Sequence, residues 1–173
     1  MKTLFLLRHA KSSWKDETLP DFERPLNSRG VRTTKLLSQI FTSDKVKPDL
    51  ILSSCAVRAR ETIERVLEFG KVRSELRFDE RIYDASIDRL LEVVHQIDKS
   101  ARSVMIVGHN PGLEELITAL TGQSEIMPTG TLAKITFDSS SWSNVGTQLG
   151  TIEWLRKPKE LEKSKEKDSS QES

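Results

Sequence analysis

The sequence predicts a three-layer α/β domain, with a mostly parallel central sheet and helices on both faces of that sheet. Short apolar runs alternate with amphipathic stretches of helical length along most of the chain. The runs at 3–7 and 104–107 are almost wholly apolar, as expected for strands that are buried on both faces. Because helices separate most of these strands, right-handed βαβ crossovers and a parallel sheet are expected.

Three strands and two helices are predicted in the first half of the chain. They are a strand at Thr3–Leu7, a helix from Asn27 or Ser28 to about Thr42, a strand at Leu50–Ser53, a helix from about Ala56 to Gly70 and a weaker strand at Glu75–Phe78. Asn and Ser side chains cap the free amides at a helix start, and glycine often ends a helix. A long polar loop from Arg8 to Leu26 joins the first strand to the first helix.

Two helices and three strands are predicted in the second half. They are a helix that Ser86 caps and that runs to about Ile97, a strand at Val104–Val107, a helix at Gly112–Leu120 and strands at about Leu132–Phe137 and Gly150–Leu155. Pro111 suits the first turn of its helix, where an amide hydrogen has no partner to lose. No helix separates the last two strands, so they are expected to be antiparallel or at the sheet edge.

The folded domain is expected to cover residues 1–156, followed by a disordered charged tail at 157–173. From Lys159 to Ser173 the chain is charged and serine-rich, and Leu161 is the only apolar residue of this segment. Such a segment buries too little apolar surface to offset the entropy lost on ordering. A role of the tail in interactions is the less favoured alternative.

Composition excludes several classes of protein. The 173 residues include 27 Lys or Arg and 26 Asp or Glu, for a net charge of +1, so neither nucleic acid nor an anionic membrane is an expected partner. No apolar run approaches the roughly 20 residues that a membrane-spanning helix needs. Cys55 is the only cysteine, which excludes an internal disulfide and fits a reducing compartment. A cytoplasmic protein is therefore expected.

Cationic and titratable side chains follow three of the predicted parallel strands. Arg8-His9 follows the first strand, Ser53–Arg58 begins at the end of the second, and Gly108-His109-Asn110 follows the strand at 104–107. In open α/β sheets, ligands bind beyond the carboxyl ends of the strands. The sequence therefore predicts that two histidines and two arginines meet at one edge of the sheet.

These four side chains predict an anion site. Arg8 and Arg58 present planar guanidinium forks that match phosphate oxygens, and Arg58 lies in a first helical turn, where backbone amides also favour an anion. His9 and His109 can act near neutral pH as nucleophile, proton carrier or hydrogen-bond donor. No carboxylate or cysteine stands beside them at a ligand-like spacing, and two arginines would repel a cation, so no metal is expected.

Four segments of the sequence resemble, in order, the motifs of the histidine phosphatase superfamily. They are Leu7–Trp14 with its Arg8-His9 pair, Asp21–Gly30 with Arg24-Pro25-Leu26, Ser53–Thr62 with Arg58, and Gly108–Leu113 with His109. Ala10 stands where the family usually has glycine, and Asn27 stands where a hydroxyl residue is common. The segments span residues 4 to about 120, and the first is most similar to that of the compact SixA-type phosphohistidine phosphatases.

The resemblance implies a catalytic domain over 1–156 that works without a metal or other cofactor. His9 would attack phosphorus and form a transient phosphohistidine that water hydrolyses, while Arg8, Arg58 and His109 hold the phosphoryl oxygens. The substrate would be a phosphorylated protein in signal transduction, such as a histidine phosphotransfer domain. One alternative is a phosphatase of the same fold for a small phosphorylated metabolite. An alternative of another class is a non-catalytic, phosphate-binding regulatory module.

Three further residues are weaker candidates. Glu80 resembles the proton donor of the mutase-like branch of the family, and an ion pair with Arg81 or another cation is an equally favoured interpretation. Ser12 and Arg24 lie on loops that carry motifs and are candidates for substrate contact. Because a phosphorylated imidazole leaves more easily than an alkoxide, a SixA-type enzyme depends less on an acid.

Overall fold

In the computed structural model, which describes residues 1–171, six strands form one sheet between layers of helices. The elements are, in chain order, β1 (Lys2–Arg8), α1 (Ser28–Ser43), β2 (Leu50–Ser53), α2 (Val57–Gly70), β3 (Glu75–Phe78), α3 (Ile87–His95), β4 (Ser103–Gly108), α4 (Gly112–Thr121), β5 (Leu132–Phe137), β6 (Thr151–Arg156) and α5 (Pro158–Gln171). None of the helices in this range combines the length and apolar character that a bilayer crossing requires.

The sheet has the strand order β3-β2-β4-β1-β5-β6. Strands β3, β2, β4 and β1 pair in parallel, whereas β5 is antiparallel to both of its neighbours, β1 and β6. The predicted α/β class, the mostly parallel sheet and the antiparallel last strands are therefore confirmed.

Two hydrophobic clusters cover the two faces of the sheet, and β1 contributes to both. Leu4 and Leu6 pack with α3 and α4 on one face, and Phe5 and Leu7 pack with α1 and α2 on the other. All four side chains are at most 6% exposed. Alternate side chains of a strand point to opposite faces, so a strand buried on both faces requires the unbroken apolar run seen in the sequence.

Local signals set most of the helix ends at their expected positions. Asn27 Oδ1 accepts a hydrogen bond from the amide of Gly30 at 2.8 Å and so caps α1, and the Ser86 side chain accepts one from the amide of Arg89 at the start of α3. The end of α2 differs slightly from expectation. Gly70 is its last helical residue, and Lys71 takes the left-handed conformation that follows, with φ of 50°.

The tail differs from its expected disorder, because residues Pro158–Gln171 form α5. This helix is favoured by its own sequence, without packing against a core. Proline suits the first turn of a helix, and Lys and Glu are good helix formers. Opposite charges also lie three residues apart, as at Glu160 and Lys163, which stabilises the surface of an isolated helix. No residue of α5 is buried. The domain boundary at 156/157 stays a prediction. Residues 172 and 173 lie outside the described residues.

The sheet register brings three strand ends together. Arg8 pairs with Gly108 across β1 and β4, and Ser53 pairs with Val107 across β2 and β4. The next residues along the chain are His9, His109 and Ser54. Hydrogen bonds from the amide of His9 to the Gly108 carbonyl and from the amide of Ser54 to the Val107 carbonyl continue the pairing past the strands.

Close packing fixes the loop after β1 against the start of α1. A Cβ atom at Gly30 would overlap the backbone carbonyl oxygen of Lys11, and that same oxygen accepts a hydrogen bond from the amide of Asn27. Because backbone cannot move aside as a side-chain tip can, only glycine fits this position of α1.

We expect Gly30→Ala to lower the free energy of unfolding by about 1–3 kcal/mol, the usual effect of overpacking. Helix propensity alone predicts that the same change raises the free energy of unfolding by about 1 kcal/mol. The sign of the measured change therefore shows which of the two effects is larger. Gly146→Ala is the control, since its Cβ would meet only the side chain of Leu149, at 3.3 Å, and a backbone oxygen at 4.0 Å. Denaturant titrations that find Gly30→Ala stabilising would contradict the close approach.

Candidate active site

Three of the four predicted anion-binding residues lie side by side beyond the ends of β1, β2 and β4. The rings of His9 and His109 have centroids 5.1 Å apart and are tilted by 49°. Nε of Arg58 donates a hydrogen bond to Nε2 of His9 at 3.3 Å. Arg8, the fourth, lies close enough for its charge to affect both histidines. The structure thus brings together the cluster that the strand ends predicted.

His9 is held as a neutral imidazole whose Nε2 lone pair accepts the hydrogen bond from Arg58. Its Nδ1 lies 2.7 Å from the Ala10 carbonyl oxygen, so we assign the ring proton to Nδ1 and leave Nε2 without a proton. Burial, followed by the charges of Arg58 and Arg8, outweighs the opposite effect of the Ala10 carbonyl and lowers the pKa of His9 to about 4. At neutral pH the ring is therefore unprotonated at the atom that faces Arg58.

His109 is held by a serine from the end of β2. Its Nε2 lies 2.7 Å from Oγ of Ser54, which also accepts a hydrogen bond from the amide of Ala56 at 3.2 Å. We assign the hydroxyl proton to the bond with Nε2, so that Nδ1 carries the ring hydrogen. Burial, then His9 and Arg58, lowers the pKa of His109 to about 3. The buried Nδ1 has no hydrogen-bond partner within residues 1–171, as befits a donor for a ligand.

Asp21 anchors the guanidinium of Arg58. The backbone oxygen of Asp21 accepts from Nη1 at 2.7 Å, and Oδ2 accepts from Nη2 at 2.9 Å. Tyr83 donates its hydroxyl hydrogen to the same Oδ2 at 2.7 Å. Sequence reasoning did not select Asp21, because it lies in a long loop without periodicity. Its only signal was its place at the start of the Asp21–Gly30 motif.

Arg8 is oriented by a second network. Its Nη1 donates to the carbonyl oxygen of Met127 at 3.0 Å, and the side-chain amide of Asn110 donates to the same oxygen and to Oε1 of Glu114. Burial lowers the pKa of Arg8, Glu114 raises it and Arg58 lowers it, with a net lowering. Nε of Arg8 is buried without a partner within residues 1–171. Glu114 is a second carboxylate that the sequence analysis did not select.

Thr62 joins the first and third motifs. Its Oγ1 accepts a hydrogen bond from the amide of Ala10 at 3.0 Å and donates one to the Arg58 carbonyl oxygen at 2.6 Å. The hydroxyl therefore ties α2 to the loop that carries His9. It contacts backbone on both sides, so its role is to position the two motifs relative to one another.

The structure does not bring Ser12 or Arg24 into this cluster. Ser12 forms an isolated β-bridge with Leu26, and the guanidinium of Arg24 stacks on the Trp14 ring at 3.9 Å while donating to the Asp16 carbonyl oxygen. No hydrogen bond or ring contact within residues 1–171 joins either one to the cluster residues. Both stabilise the conformation of the loop between β1 and α1.

Glu80 makes no bond to the residues of the cluster. Its side chain is exposed and makes neither a hydrogen bond nor an ion pair within residues 1–171. Arg81, its suggested partner, pairs instead with Asp79 at 2.8 Å and with the Gln96 side chain. A role of Glu80 as proton donor stays a prediction.

The chemistry of the cluster suits a tetrahedral anion. Two guanidinium groups and two neutral imidazoles lie beside the ends of three strands, and two of their nitrogens, Nε of Arg8 and Nδ1 of His109, are buried without a partner within residues 1–171. Preorganised donors of this kind stabilise negative charge that is shared over several oxygens. Within residues 1–171, no group of three or more His, Cys, Asp or Glu side chains is arranged to hold a metal ion.

Comparison with known proteins gives the family. The family described as "Histidine phosphatase superfamily (branch 1)" matches residues 4–87. An uncharacterized chloroplastic protein of Arabidopsis thaliana is 32% identical over 162 residues, which cover 88% of this chain and 74% of that protein. The chain belongs to the histidine phosphatase superfamily.

Its fold is close to that of SixA proteins. Phosphohistidine phosphatase SixA of Escherichia coli is 24% identical over 166 residues, which cover 94% of this chain and 98% of SixA. A SixA structure from Agrobacterium tumefaciens, 26% identical, has a TM-score of 0.77 over 90% of this chain and 97% of that chain. The alpha-ribazole phosphatase of Shigella flexneri, 17% identical, shares the fold with a TM-score of 0.68 over 90% and 96% of the two chains.

We expect the NMR resonances of His9 and His109 to titrate with midpoints near pH 4 and 3, well below the ordinary 6.5. Between those values and pH 6.5 the unfolded chain binds more protons than the folded chain. The free energy of unfolding should therefore fall as the pH falls through this window, and the histidine contribution to stability should be fully present above it. Chemical-shift titration and denaturant curves at several pH values measure both effects. Midpoints near 6.5 for both rings would contradict buried, neutral imidazoles.

We expect Ser54→Ala to lower kcat/KM for p-nitrophenyl phosphate about tenfold, because a lost hydrogen bond of about 1.4 kcal/mol leaves the His109 ring free to turn. The control is Ser53→Ala, since Ser53 is equally buried but donates to the Ser54 carbonyl oxygen and has no contact with His109. Equal losses in the two variants would assign the effect to packing alone.

Proposed function

We propose that this member of the superfamily is a metal-independent phosphatase that transfers a phosphoryl group to Nε2 of His9. The new P–N bond forms as the bond from phosphorus to the leaving group breaks, and the electron pair of the broken bond goes to the leaving group. Water then attacks the transient phosphohistidine and releases phosphate together with neutral His9.

The environment of His9 is the observation that carries this proposal. The hydrogen bond between Nδ1 and the Ala10 carbonyl oxygen fixes both the tautomer and the direction of Nε2. The low pKa of the ring keeps Nε2 unprotonated at neutral pH. A nitrogen that attacks phosphorus must be unprotonated, and the bond to Ala10 leaves Nε2 as that nitrogen.

Arg8, Arg58 and His109 supply the electrostatic part of the reaction. Charge spreads over the equatorial phosphoryl oxygens in the transition state, and donors that are already in place stabilise it without reorganisation. Buried Nε of Arg8 and Nδ1 of His109 are free to donate. Arg58 Nε donates to Nε2 of His9 in the absence of substrate, and this donor has to turn to a phosphoryl oxygen when Nε2 attacks phosphorus.

A phosphorylated histidine on a protein is the proposed substrate. The support is the likeness to E. coli SixA, whose name specifies a phosphohistidine phosphatase, over 94% of this chain. A second support is the position of Glu80, which has no contact with the cluster and is exposed. Ester hydrolysis needs an acid for the leaving alkoxide, whereas a phosphorylated imidazole can leave without one. A histidine phosphotransfer domain in a signalling protein fits this chemistry.

A small phosphomonoester is the second candidate substrate. The fold shared with the alpha-ribazole phosphatase of Shigella flexneri favours it. In that case Glu80 would have to approach the leaving group as the proton donor, and Glu80→Gln would lower turnover of a phosphomonoester with a poor leaving group.

We expect wild-type protein to hydrolyse both p-nitrophenyl phosphate and a phosphohistidine protein, and His9→Ala to lose at least about 1,000-fold on both, as expected when a nucleophile is removed. His95→Ala is the matched control, because His95 bonds only to the Val145 carbonyl oxygen, away from the cluster. Rapid quenching with labelled substrate should trap an acid-labile, alkali-stable phosphoenzyme in the wild type and in His95→Ala, and none in His9→Ala.

Four results would contradict parts of the proposal. Turnover that survives His9→Ala would exclude His9 as nucleophile, and phosphate binding without turnover would indicate a regulatory module. Activity restricted to small esters would exclude the phosphohistidine substrate. Treatment with EDTA should leave the rate unchanged, so inhibition that a divalent cation reverses would refute a metal-independent site.

A further inference from the structure

Asp21 places an ionised carboxylate at the active site. It begins a short 3-10 turn, Asp21–Glu23, in the loop between β1 and α1. Its Oδ2 accepts the hydrogen bonds from Arg58 and Tyr83 already described. Oδ1 accepts no hydrogen bond from the residues that the structure describes, so this oxygen is available to another donor.

The carboxylate is the outer member of its ion pair. The side chain of Asp21 is 54% exposed, whereas that of Arg58 is 9% exposed. In-line transfer places the leaving group on the side of phosphorus away from Nε2 of His9. His9 is buried and Asp21 is exposed, so a leaving group that departs toward solvent would pass near Asp21.

Aromatic rings flank the carboxylate. Tyr83, which donates to Asp21, contacts the ring of His109 edge-on at 5.5 Å, and Phe22 contacts Tyr83 edge-on at 4.9 Å. Phe22 is partly exposed and adjoins Asp21 in the sequence. Flat apolar surface beside an anion suits a planar ring that carries positive charge.

Asp21 is poorly suited to protonate a leaving group at neutral pH. Partial burial raises its pKa, but hydrogen bonds from Tyr83 and Arg58, together with the charge of Arg58, bring the pKa below its ordinary value. An ionised carboxylate has no proton to give to a departing alkoxide. Its charge also opposes the negative charge that develops on the leaving oxygen.

A phosphorylated imidazole makes the opposite demand. When its second ring nitrogen carries a proton, the P–N bond breaks with its electron pair on the ring and a neutral imidazole leaves. Without that proton the leaving group is an imidazolide anion, which is far less stable. A carboxylate that accepts a hydrogen bond from this N–H favours the protonated ring.

We propose that Asp21 determines the specificity of the site for phosphorylated imidazoles over phosphomonoesters by accepting a hydrogen bond from the leaving ring. This inference rests on the proposed function, and it assigns the choice of substrate to one side chain. Nε2 of His9 forms the new P–N bond as the old one breaks, and the N–H proton stays on the leaving ring, bonded to Asp21 Oδ1. Oδ2 meanwhile keeps its bonds to Arg58 and Tyr83.

Asp21→Asn tests the proposal, because the amide keeps the shape and its oxygen still accepts from Arg58 and Tyr83. We expect kcat/KM for a phosphohistidine peptide to fall about tenfold or more, equivalent to about 1.4 kcal/mol of lost transition-state stabilisation. For p-nitrophenyl phosphate, whose leaving group departs without a proton, only the weakened hold on Arg58 should lower the rate, so we expect a loss several-fold smaller than for the phosphohistidine peptide. The alkaline limb of the phosphohistidine profile should also move to lower pH, because the ring loses a group that raises its pKa.

Glu23→Gln is the matched control. It removes a carboxylate from the same 3-10 turn, and Glu23 makes no side-chain hydrogen bond or ion pair within residues 1–171. Both of its rates should match the wild type. Equal losses on the two substrates in Asp21→Asn would mean that Asp21 only holds Arg58, and unchanged rates on both would exclude any role; either result overturns the inference. Wild type without phosphohistidine activity would overturn the proposed function itself, before any variant is compared.

Discussion

The guanidinium of Arg58 is the group on which the rest of the site depends. Its three nitrogens bond to Nε2 of His9, to the Asp21 backbone and to the Asp21 carboxylate. A buried cation without such partners would cost several kcal/mol, so the loop after β1 has to fold over α2 to supply them. The ion pair therefore couples the conformation of a long loop to the position of His9.

That coupling works because the strand register leaves little freedom. Pairing of Arg8 with Gly108 and of Ser53 with Val107 fixes where the chain emerges from each strand. Both sheet faces are covered by packed helices, and a slip by one residue would turn every side chain of β1 to the wrong layer. Hydrophobic burial thus sets the backbone, and hydrogen bonds such as that from Ala10 to Thr62 set the final orientation.

Strand ends were predictable from sequence, whereas loop contacts were not. His9, Arg58 and His109 follow apolar runs, and the hydrophobic pattern of the sequence identifies these runs as strands of the sheet. Their convergence could therefore be predicted without knowing the path of any loop. Asp21 reaches the site through a loop whose path depends on a stack of Trp14 on Arg24 and on a bridge at Ser12, and no periodicity encodes such contacts. Helix α5 was missed for another reason, since composition alone does not distinguish a disordered segment from a solvated helix.

The choice of arginine rather than lysine follows from the same electrostatics. Burial, and after it the positive charge of the nearby arginines, lowers the pKa values of His9 and His109 and keeps both rings neutral, while the same positive charge favours an anion in the pocket. Lysine in these buried positions would lose its proton more readily and fail at both tasks, whereas the guanidinium stays charged even though burial lowers the pKa of Arg8. Neutral imidazoles and an anionic ligand can share one pocket only if the cations of that pocket resist deprotonation.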